Sequence, residues 1–263
     1  MEGVADYLFI DEIGSGNHGR FYRAAPPQRL GIPDEIIAVK VLDREASDAD
    51  FARIATELRA LHAVRSPHVV TILDAGSDDG LLFYATPFYE EGSLESPSRE
   101  LGREELLRIV ADASRGADAL HEAGVVHRDI KPANILISGN RGLLADLGLA
   151  RFLAPGMTSA GIGPIGSIEY MSPDMILGEQ ASRATDLWAL GVTLHQVLTG
   201  EGIYGQIPDT NVMEAFTYVL KTKPVLSDRI DQEDRVIVER CLGMGEPFPT
   251  AADLADAIEA RLP

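Results

Sequence analysis

The segment His127-Arg128-Asp129-Ile130-Lys131-Pro132-Ala133-Asn134 sets a carboxylate, an ammonium and a carboxamide within six residues, from Asp129 to Asn134. Moving a phosphoryl group needs a carboxylate to orient the attacking hydroxyl, ligands for a divalent cation, and positive charge beside the transferred group. Asp129, Lys131 and Asn134 offer one of each. Twelve residues beyond Asn134, Asp146-Leu147-Gly148 follows the apolar run 142–145. Asp before Gly at a strand end is a common turn, but at this distance from Asn134 a second cation ligand is the better reading.

A second group of residues suits a nucleotide. Gly14-Ser15-Gly16-Asn17-His18-Gly19 follows a strand-like run. Glycines let a backbone approach phosphates closely. Alone the pattern is weak and is often a structural turn. A dinucleotide fold would need a helix directly after it, whereas Phe21-Tyr22-Arg23 continues as strand, which favours a hairpin lid. In Ala38-Val39-Lys40 a lysine sits in an apolar strand. Such a lysine either faces solvent on an edge strand or needs a partner for its ammonium, and Glu57, near the apolar stripe of the next helix, can supply one.

These residues need elements to hold them. Runs 7–13 and 36–42 read as strands, separated by a loop that Pro26, Pro27, Gly31 and Pro33 mark. Phe51, Ile54, Leu58 and Leu61 form one helical stripe, and 69–73 and 81–86 read as further strands. Beyond Glu90-Glu91-Gly92 the pattern turns helical. Leu106, Ile109 or Val110, Ala113, Ala117 and Leu120 share a face, 187–198 is apolar nearly all round, and 212–220, 236–241 and 251–262 read as helices. The expected class is α+β: a small β-rich lobe with one helix, joined near 87–93 to a larger helical lobe.

Composition sets the limits. The chain has 263 residues, 45% hydrophobic and 24% charged, which describes an ordinary globular protein. Its net charge of −18 argues against nucleic-acid binding, which needs a positive surface. No apolar stretch is long enough to span a membrane, and residues 1–6 show no basic and apolar leader pattern. The single cysteine, Cys241, allows neither an internal disulfide nor a cysteine zinc site. A cytoplasmic location is expected, either as a stand-alone protein or as the catalytic part of a longer receptor.

From residues 7 to 262 the chain resembles the protein kinase family, in particular the prokaryotic serine/threonine kinases. The resemblance implies a bilobal fold with an N-lobe over 1–86, a hinge over 87–92 and a C-lobe over 93–263. It also implies ATP with Mg²⁺, Mn²⁺ being a possible substitute, and protein substrates of unknown identity. Gly14, Ser15, Gly16, Asn17 and Gly19 match the glycine-rich loop, and Lys40 the strand lysine on the α/β-phosphates, with Glu57 its helix partner. Asp129 matches the catalytic base and Lys131 the γ-phosphate lysine of serine/threonine kinases. Asn134 and Asp146 match the metal ligands. Thr86 resembles the gatekeeper before Pro87, Phe88 and Tyr89, with adenine between Ala38 and Leu136. Ser167 resembles the residue at the substrate hydroxyl, and Asp186 the helix aspartate that braces the catalytic loop.

Several positions depart from the pattern. Phe21 replaces a valine and would crowd the adenine, and Leu147 replaces a phenylalanine. Ser172-Pro173-Asp174 replaces Ala-Pro-Glu, while Phe248 takes the place of the arginine that pairs with that glutamate, so the bridge is expected to be missing. Arg128 suggests pairing with a phosphate on the activation segment, where Thr158 and Ser159 are candidate autophosphorylation sites and self-association would serve the reaction. Two other readings compete. A pseudokinase scaffold is disfavoured because Lys40, Asp129, Asn134 and Asp146 are all present. A small-molecule phosphotransferase would generally lack the segment 166–174.

Overall fold

The computed structural model describes residues 3–16, 19–32, 36–45, 64–146 and 165–263. They fall into two compact units. One holds the described residues up to Val64 together with Val70–Phe88, and the other holds Arg65–Val69 and the described residues from Tyr89 onward.

The first unit is a five-stranded antiparallel sheet of β1 (Leu8–Gly16), β2 (Gly19–Ala25), β3 (Ile37–Glu45), β4 (Asp74–Asp78) and β5 (Leu81–Pro87), in the order β1-β2-β3-β5-β4. Side chains alternate between the faces of a strand. Ile37 and Val39 therefore enter a core with Val4, Tyr7, Ala24, Phe83 and Ala85, while Ala38 and Lys40 share the opposite face. The expected strands at 7–13, 36–42 and 81–86 match β1, β3 and β5 to within a few residues. The expected strand at 69–73 is corrected. Val69 makes only an isolated parallel bridge to Leu144, and the strand is the following Asp74–Asp78. That segment pairs on one side only, at the sheet edge, with every second residue exposed, so polar residues serve there and β-branched content misleads. The expected helix around Phe51 to Leu61 lies outside the described residues.

In the second unit the main helix α1 (Arg103–Glu122) buries Ile109, Val110, Ala113, Ala117 and Leu120 as expected, but the expected Leu106 is corrected: it is only half-buried, and Leu107, the next residue round the helix, is the buried one. The helix packs on the hairpin of β6 (Ile135–Ser138) and β7 (Arg141–Leu144) so closely that a Cβ on Gly142 would sit 2.3 Å from the carbonyl oxygen of Ile109. The short α2 (Pro173–Ile176) is capped by Ser172, whose Oγ accepts from the Met175 N–H. Next comes α3 (Arg183–Thr199), whose buried residues lie on all sides, as its sequence predicts. The unit closes with α4 (Val212–Lys221), α5 (Gln232–Cys241) and α6 (Ala251–Glu259). Among the described residues no helix is long and apolar enough to cross a membrane.

Candidate active site

The loop that begins at His127 hangs from one buried carboxylate. Asp186, 1% exposed on α3, accepts from the backbone N–H of His127 at 2.8 Å and of Arg128 at 2.9 Å. His121, in the last turn of α1, reaches the same carboxylate through Nε2 at 2.8 Å. These bonds hold Arg128 at φ 71°, a left-handed conformation that non-glycine residues adopt only when their surroundings impose it. His127 completes the clasp. Its Nδ1 accepts from the Asp129 N–H at 3.4 Å, so Nε2 carries the proton and donates to the Ala145 carbonyl at 3.1 Å. Burial lowers the pKa of His127, which keeps the ring neutral in this role.

The loop delivers Asp129 into a tight polar cluster. Asp129 Oδ2 accepts from Lys131 Nζ at 3.0 Å and from Asn134 Nδ2 at 2.9 Å. Lys131 also donates to Ser167 Oγ at 3.1 Å, and Asn134 Nδ2 donates to the Asp129 carbonyl at 2.7 Å. The amide of Asn134 thus gives its donor atom to Asp129, leaving Oδ1 as the atom suited to a cation. Asn134 and Asp146 flank the β6–β7 hairpin, and the Ala145 N–H donates to the Asn134 carbonyl at 2.9 Å, which holds both residues at one end of it. Asp146 has φ 53°, a second left-handed non-glycine position. A carboxylate and an amide oxygen are the hard donors that a divalent cation of the magnesium type takes.

Phe21, Ala38, Lys40 and Thr86 share one sheet face. Cross-strand register sets Phe21 opposite Lys40 and Lys40 opposite Tyr84, and sets Arg23 opposite Ala38 and Ala38 opposite Thr86. Lys40 is 3% exposed, with Nζ 4.7 Å from the Phe21 ring centroid. The glycines differ in what compels them. A Cβ on Gly19 would stand 2.2 Å from the Val41 carbonyl oxygen, so the sheet itself requires glycine there, whereas a Cβ on Gly14 would meet nothing within 4 Å. Gly14, Ser15 and Gly16 end β1, opposite Phe21, Arg20 and Gly19. Thr86 donates its hydroxyl to the Pro87 carbonyl at 3.2 Å. In the second unit, Tyr89 is half-buried with its phenol pKa raised by burial, and Leu136 lies half-buried on β6. Asn17, Glu57, Leu147, Thr158 and Ser159 lie outside the described residues.

Segment 165–178 is held by packing and by polar contacts that sequence reading missed. Ile168 and Met171 are buried, the Tyr170 hydroxyl bonds Gln196, and Glu169 Oε1 accepts from the Ile203 N–H at 2.9 Å. Burial raises the pKa of Glu169. Asp174 is exposed, and among the described residues no arginine pairs with it. Phe248 is buried instead, under the Arg240 guanidinium at 3.7 Å. The brace of His121 on Asp186 was also missed; its one sequence signal is a histidine in the last turn of an amphipathic helix, just before the segment 127–134.

Known proteins resemble this chain in sequence and fold. A family model described as protein kinase domain matches residues 7–246. The chain is 31% identical over 236 residues to serine/threonine-protein kinase PknJ of Mycobacterium tuberculosis, covering 86% of this chain and 39% of that protein. It is 33% identical over 213 residues to serine/threonine-protein kinase PknK of Mycobacterium bovis, covering 79% of this chain and 19% of that protein. The chain therefore spans only about a fifth to two-fifths of the length of these relatives. The crystal structure of the Mycobacterium tuberculosis PknI kinase domain superposes with a TM-score of 0.68 at 23% identity, covering 98% of this chain and 96% of that one, a likeness of fold.

Proposed function

This chain belongs to the protein kinase family, and we propose that it is a serine/threonine protein kinase that transfers the γ-phosphoryl group of ATP to a protein hydroxyl. The observation that carries the reading is the sharing of one carboxylate oxygen, Asp129 Oδ2, by Lys131 and Asn134, with Lys131 also bonded to Ser167. Family members use ATP and a divalent cation; here Mg²⁺ is proposed, with Mn²⁺ as a substitute. When bound, these supply the phosphoryl group and the neutralisation of its charge.

The chain's own residues do the rest. Asp129 orients the substrate hydroxyl and accepts its proton, which is why its position is fixed through the backbone bonds to Asp186. Lys131, held between Asp129 and Ser167, keeps positive charge beside the transferred group. Asn134 Oδ1 and the Asp146 carboxylate are the proposed cation ligands. Lys40 is assigned to the α/β-phosphates with Glu57 as its partner, and Gly14, Ser15, Gly16, Asn17 and Gly19 to the phosphate-covering hairpin. Ala38, Thr86, Pro87, Tyr89 and Leu136 are assigned to the adenine end, and Ser167 to the substrate side. Autophosphorylation at Thr158 or Ser159, aided by self-association, and a cytoplasmic location belong to the same proposal.

The test is transfer of labelled phosphate from ATP–Mg²⁺ to a generic basic protein and to the chain itself, beside an Asp129→Asn control. Label that requires Asp129 is the expected result. Absence of label from a chain whose melting temperature nevertheless rises with nucleotide would overturn the proposal in favour of a nucleotide-binding scaffold.

A further inference from the structure

Burying an ammonium is unfavourable unless its charge is compensated, and Lys40 is 3% exposed. The register of three adjacent strands sets Phe21, Lys40 and Tyr84 in one row on one face of the sheet. Lys40 Nζ lies 4.7 Å from the Phe21 ring centroid and 6.0 Å from that of Tyr84, the latter residue being 5% exposed. Both distances fall within about 6 Å, the range in which a cation feels the negative face of an aromatic ring. Neither ring was assigned this task by the sequence reading, which expected Phe21 to crowd the adenine.

We propose that Phe21 and Tyr84 are positioning residues for Lys40: their ring faces bracket the ammonium and hold it in place for the phosphates. The proposal rests on the reading of Lys40 as the phosphate-binding lysine. Phe21 contributes more, because its ring is the nearer one. It also sits next to the glycine-rich turn, since its β1 partner is Gly14. A row of this kind needs no flexible connection, because hydrogen-bonded strands fix all three Cβ positions together.

Ring charge can be changed without changing ring shape. Phenylalanine with one, two and three ring fluorines at position 21 of the intact chain weakens the negative face stepwise while the side chain stays nearly isosteric. The dissociation constants of ATP and of adenosine, which lacks phosphates, are measured calorimetrically for each, together with the melting temperature. The expected result is a stepwise loss of ATP affinity reaching about tenfold, ~1.4 kcal/mol, with adenosine affinity and melting temperature unchanged. Flat ATP affinity across the series overturns the proposal, and so does a parallel loss for ATP and adenosine, which would place the ring's action on the base. A Lys40→Met chain separates the two levels of the argument. Undiminished turnover in that variant refutes the reading of Lys40 itself, whereas lost turnover with a flat fluorine series refutes only the role of the rings.

Discussion

Replacing Asp186 by Asn probes how far catalysis depends on one buried carboxylate that touches no substrate. In the parent, Oδ2 accepts from His127 N and His121 Nε2, and Oδ1 accepts from Arg128 N. An asparagine keeps one acceptor oxygen and turns an NH₂ toward a donor, whichever way it is flipped. At least one charge-assisted bond is lost, that of the Arg128 N–H when the amide oxygen keeps the two donors of Oδ2, worth ~1.5–3 kcal/mol, and the surviving bonds weaken as the charge disappears. Relief from burying a carboxylate offsets part of this, so a net loss of ~3 kcal/mol is expected. For a chain of this size that lowers Tm by roughly 6–12 °C. Once its N–H is released, Arg128 can leave φ 71°, a conformation unfavourable by ~1–2 kcal/mol, and Asp129 moves with it. A displacement of about 1 Å can lower a rate about 100-fold. The expectation is therefore a kcat reduced about 100-fold with ATP affinity nearly unchanged, measured by denaturant unfolding, calorimetry and steady-state phosphotransfer. A variant as active and as stable as the parent would refute the reasoning. So would a loss of activity that only tracks a loss of nucleotide binding.

Two further expectations concern stability. Gly142→Ala should destabilise the chain by ~1–3 kcal/mol through overpacking, because its Cβ would meet the Ile109 carbonyl oxygen at 2.3 Å; urea midpoints measure this, and an unchanged midpoint would show that β7 can draw back from α1. His195 is fully buried, its Nε2 accepts from the Ser227 N–H at 2.9 Å, and burial lowers its pKa below 6.5. With the folded pKa below the unfolded one, the unfolded chain takes up the proton first. Stability is therefore full above about pH 6.5 and falls as pH drops toward the folded pKa, by at most ~1.4 kcal/mol per pH unit for one proton. His195→Gln should show a shallower fall than the parent between pH 7 and pH 5, and equal slopes would contradict a neutral buried ring.

Local pattern carried a large part of this protein. The catalytic motif, the second aspartate, the helical faces of α1 and α3, and the β3 alternation that separates Lys40 from Val39 all follow from residue type and period. Those signals are short-range, so they are legible without a fold. The error at 69–73 has the same origin: β-branched residues mark a preference, while only pairing with β5 makes Asp74–Asp78 the strand. Tertiary structure decided everything that depends on partners far along the chain. Asp186 lies 59 residues from the His127 N–H it accepts and 65 from His121, and no local rule joins them. Likewise, the sequence offers Phe21, Lys40 and Tyr84 as three unrelated residues, and strand register makes them one row. The left-handed backbone of Arg128 and the protonated nitrogen of His127 are set by hydrogen bonds that exist only after the chain has folded. The sequence therefore supplied the chemical groups, and the packing of distant segments fixed their positions and protonation, because a buried polar atom takes its state from whichever partner the fold brings to it.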